Sequence, residues 1–107
     1  MIVRISSVFV PLSKFTSYLE YVQGSEILSY ETAPGLISVS LLQKSHVAYV
    51  ELMTISSWQS EEAMKRFVEK QLAAVHAKNE YGLIQVEART YELALYRDGK
   101  VQGEDVQ

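Results

Sequence analysis

The sequence predicts one domain of the α+β class, with strands and helices in the order β-α-β-β-α-β. Stretches of alternating apolar residues indicate the strands, and two stretches with apolar residues at helical spacing indicate the helices. Pro, Gly or Asn mark most of the boundaries between them. No linker or internal repeat divides the 107 residues, a length that suits one domain. We therefore expect residues 1–107 to fold as a single unit.

Three predicted strands fall in the first half of the chain. Residues 2–10 carry apolar side chains on both alternating faces, and Pro11, which lacks an amide hydrogen, should end the strand. Residues 36–43 and 47–56 also read as strands, and the polar connection between them has the length of a hairpin loop. Because both faces of the 47–56 strand are largely apolar, we expect protein to cover both faces of the sheet.

The first predicted helix lies between the first two strands. Ser13 is a suitable N-cap for a helix that begins near Lys14. Four apolar side chains then recur at helical spacing and form one stripe: Phe15, Tyr18, Leu19 and Val22. Gly24 should weaken the helix, which we expect to continue after a kink until the turn at Pro34-Gly35.

The second predicted helix begins at Ser60. A serine cap followed by two carboxylates is the arrangement that the helix dipole favours at an N-terminus. The apolar helical spacing, which includes Phe67, continues as far as Lys78, and residues 83–96 predict a long final strand. This order of elements is the ferredoxin-like arrangement, in which both helices cover one face of a four-stranded antiparallel sheet.

The second face of such a sheet would be open in a monomer. Several strands of this chain are apolar on both faces, so a second copy of the same sheet is the simplest cover. Most homo-oligomers are closed and symmetric. The sequence therefore predicts a homodimer joined through the sheet faces.

Composition narrows the classes of partner. The net charge is −3, and no run of Lys or Arg indicates contact with nucleic acid. No apolar run approaches the roughly 20 residues needed to cross a bilayer, and the N-terminus lacks the pattern of a signal peptide. The absence of cysteine excludes disulfides and thiolate chemistry. We expect a cytoplasmic protein with no nucleic-acid or membrane partner.

The sequence contains no pattern for a metal or a cofactor. Its two histidines, His46 and His76, lie in different predicted elements, which is not a metal-ligand spacing. The five glycines are scattered and do not form a phosphate-binding loop. We expect no metal and no cofactor, and we expect His46 to be solvated in the hairpin loop.

Two motifs carry a resemblance to a known family. Residues 33–36 read Ala-Pro-Gly-Leu before the second predicted strand, and residues 58–63 read Trp-Gln-Ser-Glu-Glu-Ala where the third strand meets the second helix. Both resemble the antibiotic-biosynthesis monooxygenase superfamily, which implies a dimeric α/β barrel over nearly the whole chain. Its members include cofactor-free quinone-forming oxygenases, heme-degrading enzymes, isomerases and proteins without assigned activity, so the resemblance does not determine the reaction.

Two residues are candidates for catalysis. His76 is the candidate base or acid, because an imidazole exchanges protons near neutral pH, and the heme-degrading branch of the resembled family places a functional histidine in a similar context. The alternative is a partly exposed histidine near a helix C-terminus. Ser7 is a candidate hydrogen-bond donor, because relatives often carry a polar residue there that points into the pocket. No His-Asp partnership supports Ser7 as a nucleophile.

Aromatic residues are the candidates for binding a substrate. Five of them would line an apolar cleft between helices and sheet, where this fold commonly binds planar ligands: Phe15, Tyr18, Trp58, Phe67 and Tyr81. The alternative is that they form the core, with Trp58 as an anchor at the strand-to-helix turn. Arg4, Glu51 and Arg89 are expected to pair with one another or to lie at the rim of the dimer barrel, and a catalytic carboxylate at Glu51 is a further alternative.

The prediction for function is a cofactor-independent monooxygenase that acts on a small planar phenol or quinol. Deprotonation makes such a substrate electron-rich enough to react with O2, so the protein needs mainly a base and a dry pocket. The alternative is a dimeric ligand-binding or scaffold domain without catalysis. Heme degradation is not expected, because Ser7 and Phe67 stand where the resembled heme-degrading enzymes carry Asn and Trp.

Overall fold

The computed structural model describes residues 1–71, 80–84 and 86–99. In chain order its main elements are β1 (Ile2–Pro11), α1 (Phe15–Tyr21), α2 (Ile27–Glu31), β2 (Leu36–Ser45), β3 (Tyr49–Trp58), α3 (Glu61–Lys70) and β4 (Val86–Glu92). The four strands form one antiparallel sheet in the order β2-β3-β1-β4. The predicted α+β, ferredoxin-like fold is confirmed.

The two faces of the sheet differ in what covers them. Alternate residues of β3, from Val50 to Trp58, are buried against the helices and define the helix side. The strand register puts the even-numbered residues of β1 on the same side: Ile2, Arg4, Ser6, Val8 and Val10. The opposite side, here called the open face, is left uncovered by the described helices. Its apolar residues are Val3, Ile5, Phe9, Leu42, Tyr49, Met53, Ile55 and Tyr91.

The first helix begins differently from the prediction. Ser13 does not cap it, because Leu12–Lys14 form a 3-10 turn and α1 then begins at Phe15 without a side-chain cap. The amide of Leu12 donates a hydrogen bond to the carbonyl of Ala48 at 3.2 Å. This contact with the β2–β3 loop orders the start of the helix in place of a serine cap.

The predicted kink at Gly24 is a π-helical turn over Val22–Glu26. The turn joins α1 to α2 without breaking the helix. Gly35, in the turn that follows, has a φ of +88°, and a Cβ there would lie 2.6 Å from the Cβ of Ala63. Only glycine lets the chain turn into β2 while lying this close to α3.

The predicted cap of α3 is confirmed. The Oγ of Ser60 accepts a hydrogen bond from the amide of Ala63 at 3.1 Å. The structure describes α3 as far as Lys70, and the predicted continuation to Lys78 falls on residues 72–79, outside the described residues.

The strand boundaries differ from the prediction by a few residues. The hairpin of β2 and β3 is longer than expected, since pairing continues to Ser45 in β2 and to Trp58 in β3. The last strand is shorter than the predicted 83–96. It ends at Glu92 because its partner β1 begins at Ile2, directly opposite.

Candidate functional site

One group of aromatic rings lies on the helix side near the end of β1. The rings of Tyr18 and Tyr21 from α1 and of Tyr81, which precedes β4, have centroids 5.3 to 6.1 Å apart. Phe15 packs against the same buried cluster, which includes Val8 and Tyr18. Burial raises the pKa of the Tyr18 and Tyr21 hydroxyls, which keeps them neutral. We call the rings of Tyr18, Tyr21 and Tyr81 the first aromatic cluster.

A second aromatic cluster lies at the opposite end of the helix side. It consists of Tyr30 from α2, Trp58 from β3 and Phe67 from α3, with ring centroids 4.3 Å apart for Tyr30–Phe67 and 5.1 Å for Trp58–Phe67. Trp58 is fully buried, and its indole Nε1 donates to the Oγ of Ser56 at 2.9 Å. The indole is therefore held at its edge by the sheet while Phe67 and Tyr30 pack against the rings.

Polar side chains occupy the sheet between the two clusters. Two neighbouring register pairs on the helix side are Arg4 with Ser56 and Ser6 with Thr54. Glu26, the last residue of the π-helical turn, is half-buried and interacts electrostatically with Arg4. We call these five residues the polar band. Polar groups in the middle of a helix–sheet interface are less stabilising than apolar ones, so the polar band adds less to the stability of the core than the aromatic clusters do.

Arg4 and Glu26 are the charged residues of the polar band. Burial raises the pKa of Glu26, and the guanidinium of Arg4 opposes this shift. The pKa of the Tyr30 hydroxyl is also raised, mainly by burial, and Arg4 and Ser6 oppose this shift. Among the described residues no carboxylate is close enough to form an ion pair with Arg4. Within those residues the guanidinium is therefore not held in a salt bridge, and its N–H groups can donate to other acceptors.

Of the two predicted catalytic residues, the structure describes Ser7. Ser7 lies on the open face, opposite Met53, because alternate residues of a strand point to opposite sides. It therefore does not join the aromatic clusters, and Ser6 is the serine of β1 that faces the helices. His76 falls within residues 72–79, outside the described residues.

The five predicted binding residues all lie on the helix side, in two groups. Trp58 and Phe67 belong to the second cluster, and Phe15, Tyr18 and Tyr81 lie in or beside the first. The sequence did not predict Ser6, Glu26 or Tyr30 as site residues. It predicted Arg4 in an ion pair or at the rim of the dimer barrel. The available signal was the pair of polar residues at alternate positions of an otherwise apolar first strand.

Of the two alternatives for Arg4, Glu51 and Arg89, mutual pairing is wrong, and a position at the rim of a dimer barrel stays a prediction. Arg4 is on the helix side, whereas Glu51 and Arg89 are on the open face. Glu51 instead lies 3.3 Å from the Nε2 of His46. His46 is not fully solvated, since its ring stacks on Tyr49 with centroids 4.5 Å apart.

A cavity of about 310 Å³ opens between the end of α2 and α3. Phe67 forms part of its wall, so the cavity adjoins the second aromatic cluster, and Arg66 and Lys70 also line it. Its volume suits a small ligand. Neither Arg4 nor Glu26 lines it, so it is separate from the polar band.

Neither a candidate metal site nor a membrane-spanning helix occurs among the described residues. Within residues 1–71, 80–84 and 86–99, no group of three His, Cys, Asp or Glu side chains is placed to hold a metal ion. No helix in those ranges is long and apolar enough to cross a membrane.

Solved structures of antibiotic biosynthesis monooxygenases share this fold. A protein of Deinococcus radiodurans assigned to that group superposes with a TM-score of 0.79 at 10% identity, over 94% of this chain and 100% of that one. The heme-degrader MhuD of Mycobacterium tuberculosis, with two hemes in its active site, gives 0.70 at 19% identity, over 92% and 100%. SnoaB of Streptomyces nogalater, a cofactor-independent oxygenase, gives 0.62 at 17% identity, over 89% and 95%.

The sequence comparisons returned nothing further. No protein-family model matches the chain, and no curated protein matches it. The resemblance predicted from residues 33–36 and 58–63 is thus confirmed in the fold that this chain shares with those monooxygenases. At identities of 10 to 19% the likeness concerns the fold alone.

Proposed function

We propose that the protein is a cofactor-independent monooxygenase that oxidises a small planar phenol or quinol on the helix side of the sheet. The observation that carries this proposal is the polar band between two aromatic clusters, which contains the guanidinium of Arg4, a group that forms no ion pair with any described carboxylate. Aromatic side chains would bind the faces of a planar ligand, and the polar band would orient its oxygen. The similarity in fold to SnoaB supports the same reaction class.

The proposed reaction balances without an external reductant. A phenol with a free ring position and one O2 give a quinone and one water. One oxygen atom enters the ring and the other leaves as water with the two hydrogens that the substrate loses. The substrate supplies all of the electrons, so the protein needs to ionise the hydroxyl, hold the anion and exclude water.

Each predicted residue has a role in this proposal. His76 remains the proposed acid or base, here for the proton transfers that follow ionisation of the hydroxyl. Trp58 and Phe67 form the wall at one end of the ligand, with Phe15, Tyr18 and Tyr81 at the other. We assign the hydrogen-bond donor to Ser6, since Ser7 points to the open face. The rival function, a binding domain without catalysis, would use the same aromatic residues and differ only in the fate of the ligand.

We also propose that two copies associate through their open faces. The eight apolar side chains of that face are half-buried or exposed in one chain, and a second sheet would bury them. Such a dimer would leave the helix side of each copy free to bind its own ligand.

Oxygen uptake tests the proposed reaction. The purified chain, with chelator present and no flavin added, is supplied with a panel of naphthols, hydroxyanthracenes and quinols in an oxygen electrode. We expect uptake with at least one phenol at one O2 per quinone formed. We expect His76→Ala to lower its turnover by about 100-fold while the circular dichroism spectrum is unchanged. Binding of panel members without any uptake would favour the non-catalytic rival.

A second assay, with hemin, tests whether the protein degrades heme. With hemin, a reductant and O2, we expect no catalytic loss of the Soret band and no release of iron. Phe67 lacks the indole N–H of a tryptophan, and a serine in β1 is shorter than the asparagine of the resembled heme-degrading enzymes. Turnover of hemin would contradict the phenol assignment and favour the heme-degrading alternative.

A further inference from the structure

The proposed substrate has an acidic hydroxyl, and the polar band contains a carboxyl and a guanidinium that interact electrostatically without forming an ion pair among the described residues. We propose that Glu26 accepts the proton of this hydroxyl and that Arg4 holds the oxygen anion that results. This inference rests on the proposed function, since it names the groups that would bind the reacting oxygen of that substrate.

The π-helical turn is what brings Glu26 to the interface. Val22 is buried, the next three residues are exposed, and Glu26 is again partly buried at the end of the turn. It is followed by Ile27, which packs against the residues of both aromatic clusters. Glu26 therefore lies between the clusters, above the polar residues of β1 and β3. Single π-helical turns inside a helix occur often at functional sites.

The groups around Glu26 suit a proton acceptor. Tyr18, Tyr21 and Tyr30 interact with its carboxyl from the helix and Arg4 from the sheet. Burial raises the pKa of Glu26, which makes its carboxylate a stronger base and brings it closer to the pKa of an acidic phenol. Proton transfer is more effective when the two pKa values approach each other.

Arg4 and Glu26 interact electrostatically but do not form an ion pair among the described residues. A direct ion pair would occupy the donors of Arg4 and hold the carboxylate in its ionised form. Because the two groups are apart, the hydroxyl of a ligand can bind between them and contact both.

The step moves one proton and changes no oxidation state. The O–H bond of the ligand breaks, the proton goes to a carboxylate oxygen of Glu26, and the electron pair stays on the ligand oxygen. An N–H of Arg4 then donates to that oxygen. The total charge of the site is unchanged, but the negative charge moves from Glu26 to an oxygen beside the guanidinium. The buried rings of Tyr18 and Tyr30 lower the polarity around the site and strengthen this contact.

A coloured phenol tests this step directly in the 107-residue chain. The probe is 4-nitrophenol, whose phenolate is yellow, and the reference is 4-nitroanisole, which has no proton to lose. Both are bound at a pH at which free 4-nitrophenol is mainly neutral, and the spectrum of the bound probe is recorded after dialysis equilibrium. We expect wild-type protein to bind 4-nitrophenol as the phenolate, a result that needs no variant.

Three variants test which residues ionise and hold the bound 4-nitrophenol. In Glu26→Gln we expect the phenolate fraction of the bound probe to fall about ten-fold, with 4-nitroanisole binding retained. In Arg4→Gln the affinity for 4-nitrophenol should fall by about ten-fold as well. Glu31→Gln, an exposed carboxylate on α2, should behave like the wild type. Circular dichroism checks that each variant is folded.

The outcomes separate the inference from the proposed function. Bound 4-nitrophenol that stays neutral in the wild type, or phenolate that persists in Glu26→Gln, overturns the inference while the aromatic site stands. If neither 4-nitrophenol nor 4-nitroanisole binds, the aromatic site itself is wrong and the inference falls with it.

Discussion

At the scale of single residues, the carboxyl of Glu26 should lower the stability of the folded protein at neutral pH. This effect can be measured without any substrate. Its pKa is raised in the folded protein, chiefly by burial, so the folded state binds this proton more tightly than the unfolded chain does. Stability from this group is therefore lost as the pH rises from the ordinary glutamate value of 4.5 through the higher value in the folded protein. Around it are the hydroxyls of Tyr18, Tyr21 and Tyr30 and the guanidinium of Arg4.

Removing this carboxyl should stabilise the protein at neutral pH. We expect Glu26→Gln to melt at a higher temperature than the wild type at pH 7, with the difference shrinking below about pH 4.5, where Glu26 is protonated in both states. Glu31→Gln, on the exposed side of α2, should change the melting temperature less. A wild type that is the more stable protein at neutral pH would contradict the assignment of Glu26 as a desolvated carboxyl.

The hydrogen bond of Trp58 gives a second residue-scale prediction. Ser56→Ala removes the acceptor of the buried indole N–H, and an unsatisfied buried donor costs about 1–3 kcal/mol in the free energy of unfolding. Ser57→Ala, the neighbour on the open face, should cost less than about 0.5 kcal/mol. Chemical denaturation measures both, and equal costs would show that the Ser56 contact does not hold the indole.

The choice between Ser6 and Ser7 shows how far the sequence can predict a site. Alternation in β1 correctly separates Val3, Ile5 and Phe9 from the other face. It cannot say which face meets the helices, because both faces are apolar. Only the contacts with the helices decide that Ser6 and Arg4 are inside.

At the scale of elements, the sequence predicts what is local and fails where a distant contact decides. The Ser60 cap needs only the amide three residues later, and it is present. The Ser13 cap is absent because the Leu12 amide bonds to Ala48 in a loop more than thirty residues away. Likewise, Gly24 predicts an irregular helix. The structure has a π-helical turn there rather than a break, because Val22 and Ile27 both pack on the sheet side.

Two glycines should respond in opposite ways to the same substitution. Gly35→Ala should destabilise the protein by about 1–2 kcal/mol or more, because the residue has a positive φ and its Cβ would collide with Ala63. Gly24→Ala meets nothing within 4 Å and removes a helix-weakening residue, so it should be neutral or stabilise by up to about 1 kcal/mol. Thermal melts of both variants test this, and equal effects would contradict the described turns.

At the scale of the whole molecule, the order of elements was enough to predict the topology. Short connections and antiparallel pairing leave few arrangements for a β-α-β-β-α-β chain, and the observed order β2-β3-β1-β4 is one of them. The strand order does not determine what covers the open face. The proposed dimer therefore needs its own test.

A charge at the centre of the open face should separate the two copies. Ile55 lies opposite Ile5 in the middle of that face, and Ile55→Glu would bury a carboxylate between two sheets. We expect light scattering at micromolar concentration to report a dimer for the wild type and a monomer for this variant. Leu28→Glu, about half exposed on α2, is the matched control and should remain dimeric. A wild type that is monomeric would contradict the proposed association.

Fluorescence of Trp58 tests the central claim, a planar phenol bound at the polar band. Trp58 is the one tryptophan of the chain and lies in the second aromatic cluster. Titration with 1-hydroxyanthraquinone should quench it saturably at one ligand per chain. Arg4→Gln should weaken binding about ten-fold, whereas Lys70→Gln, in the separate cavity beside Phe67, should leave it unchanged. Quenching that never saturates, or that weakens in Lys70→Gln and not in Arg4→Gln, would contradict a ligand site at the polar band.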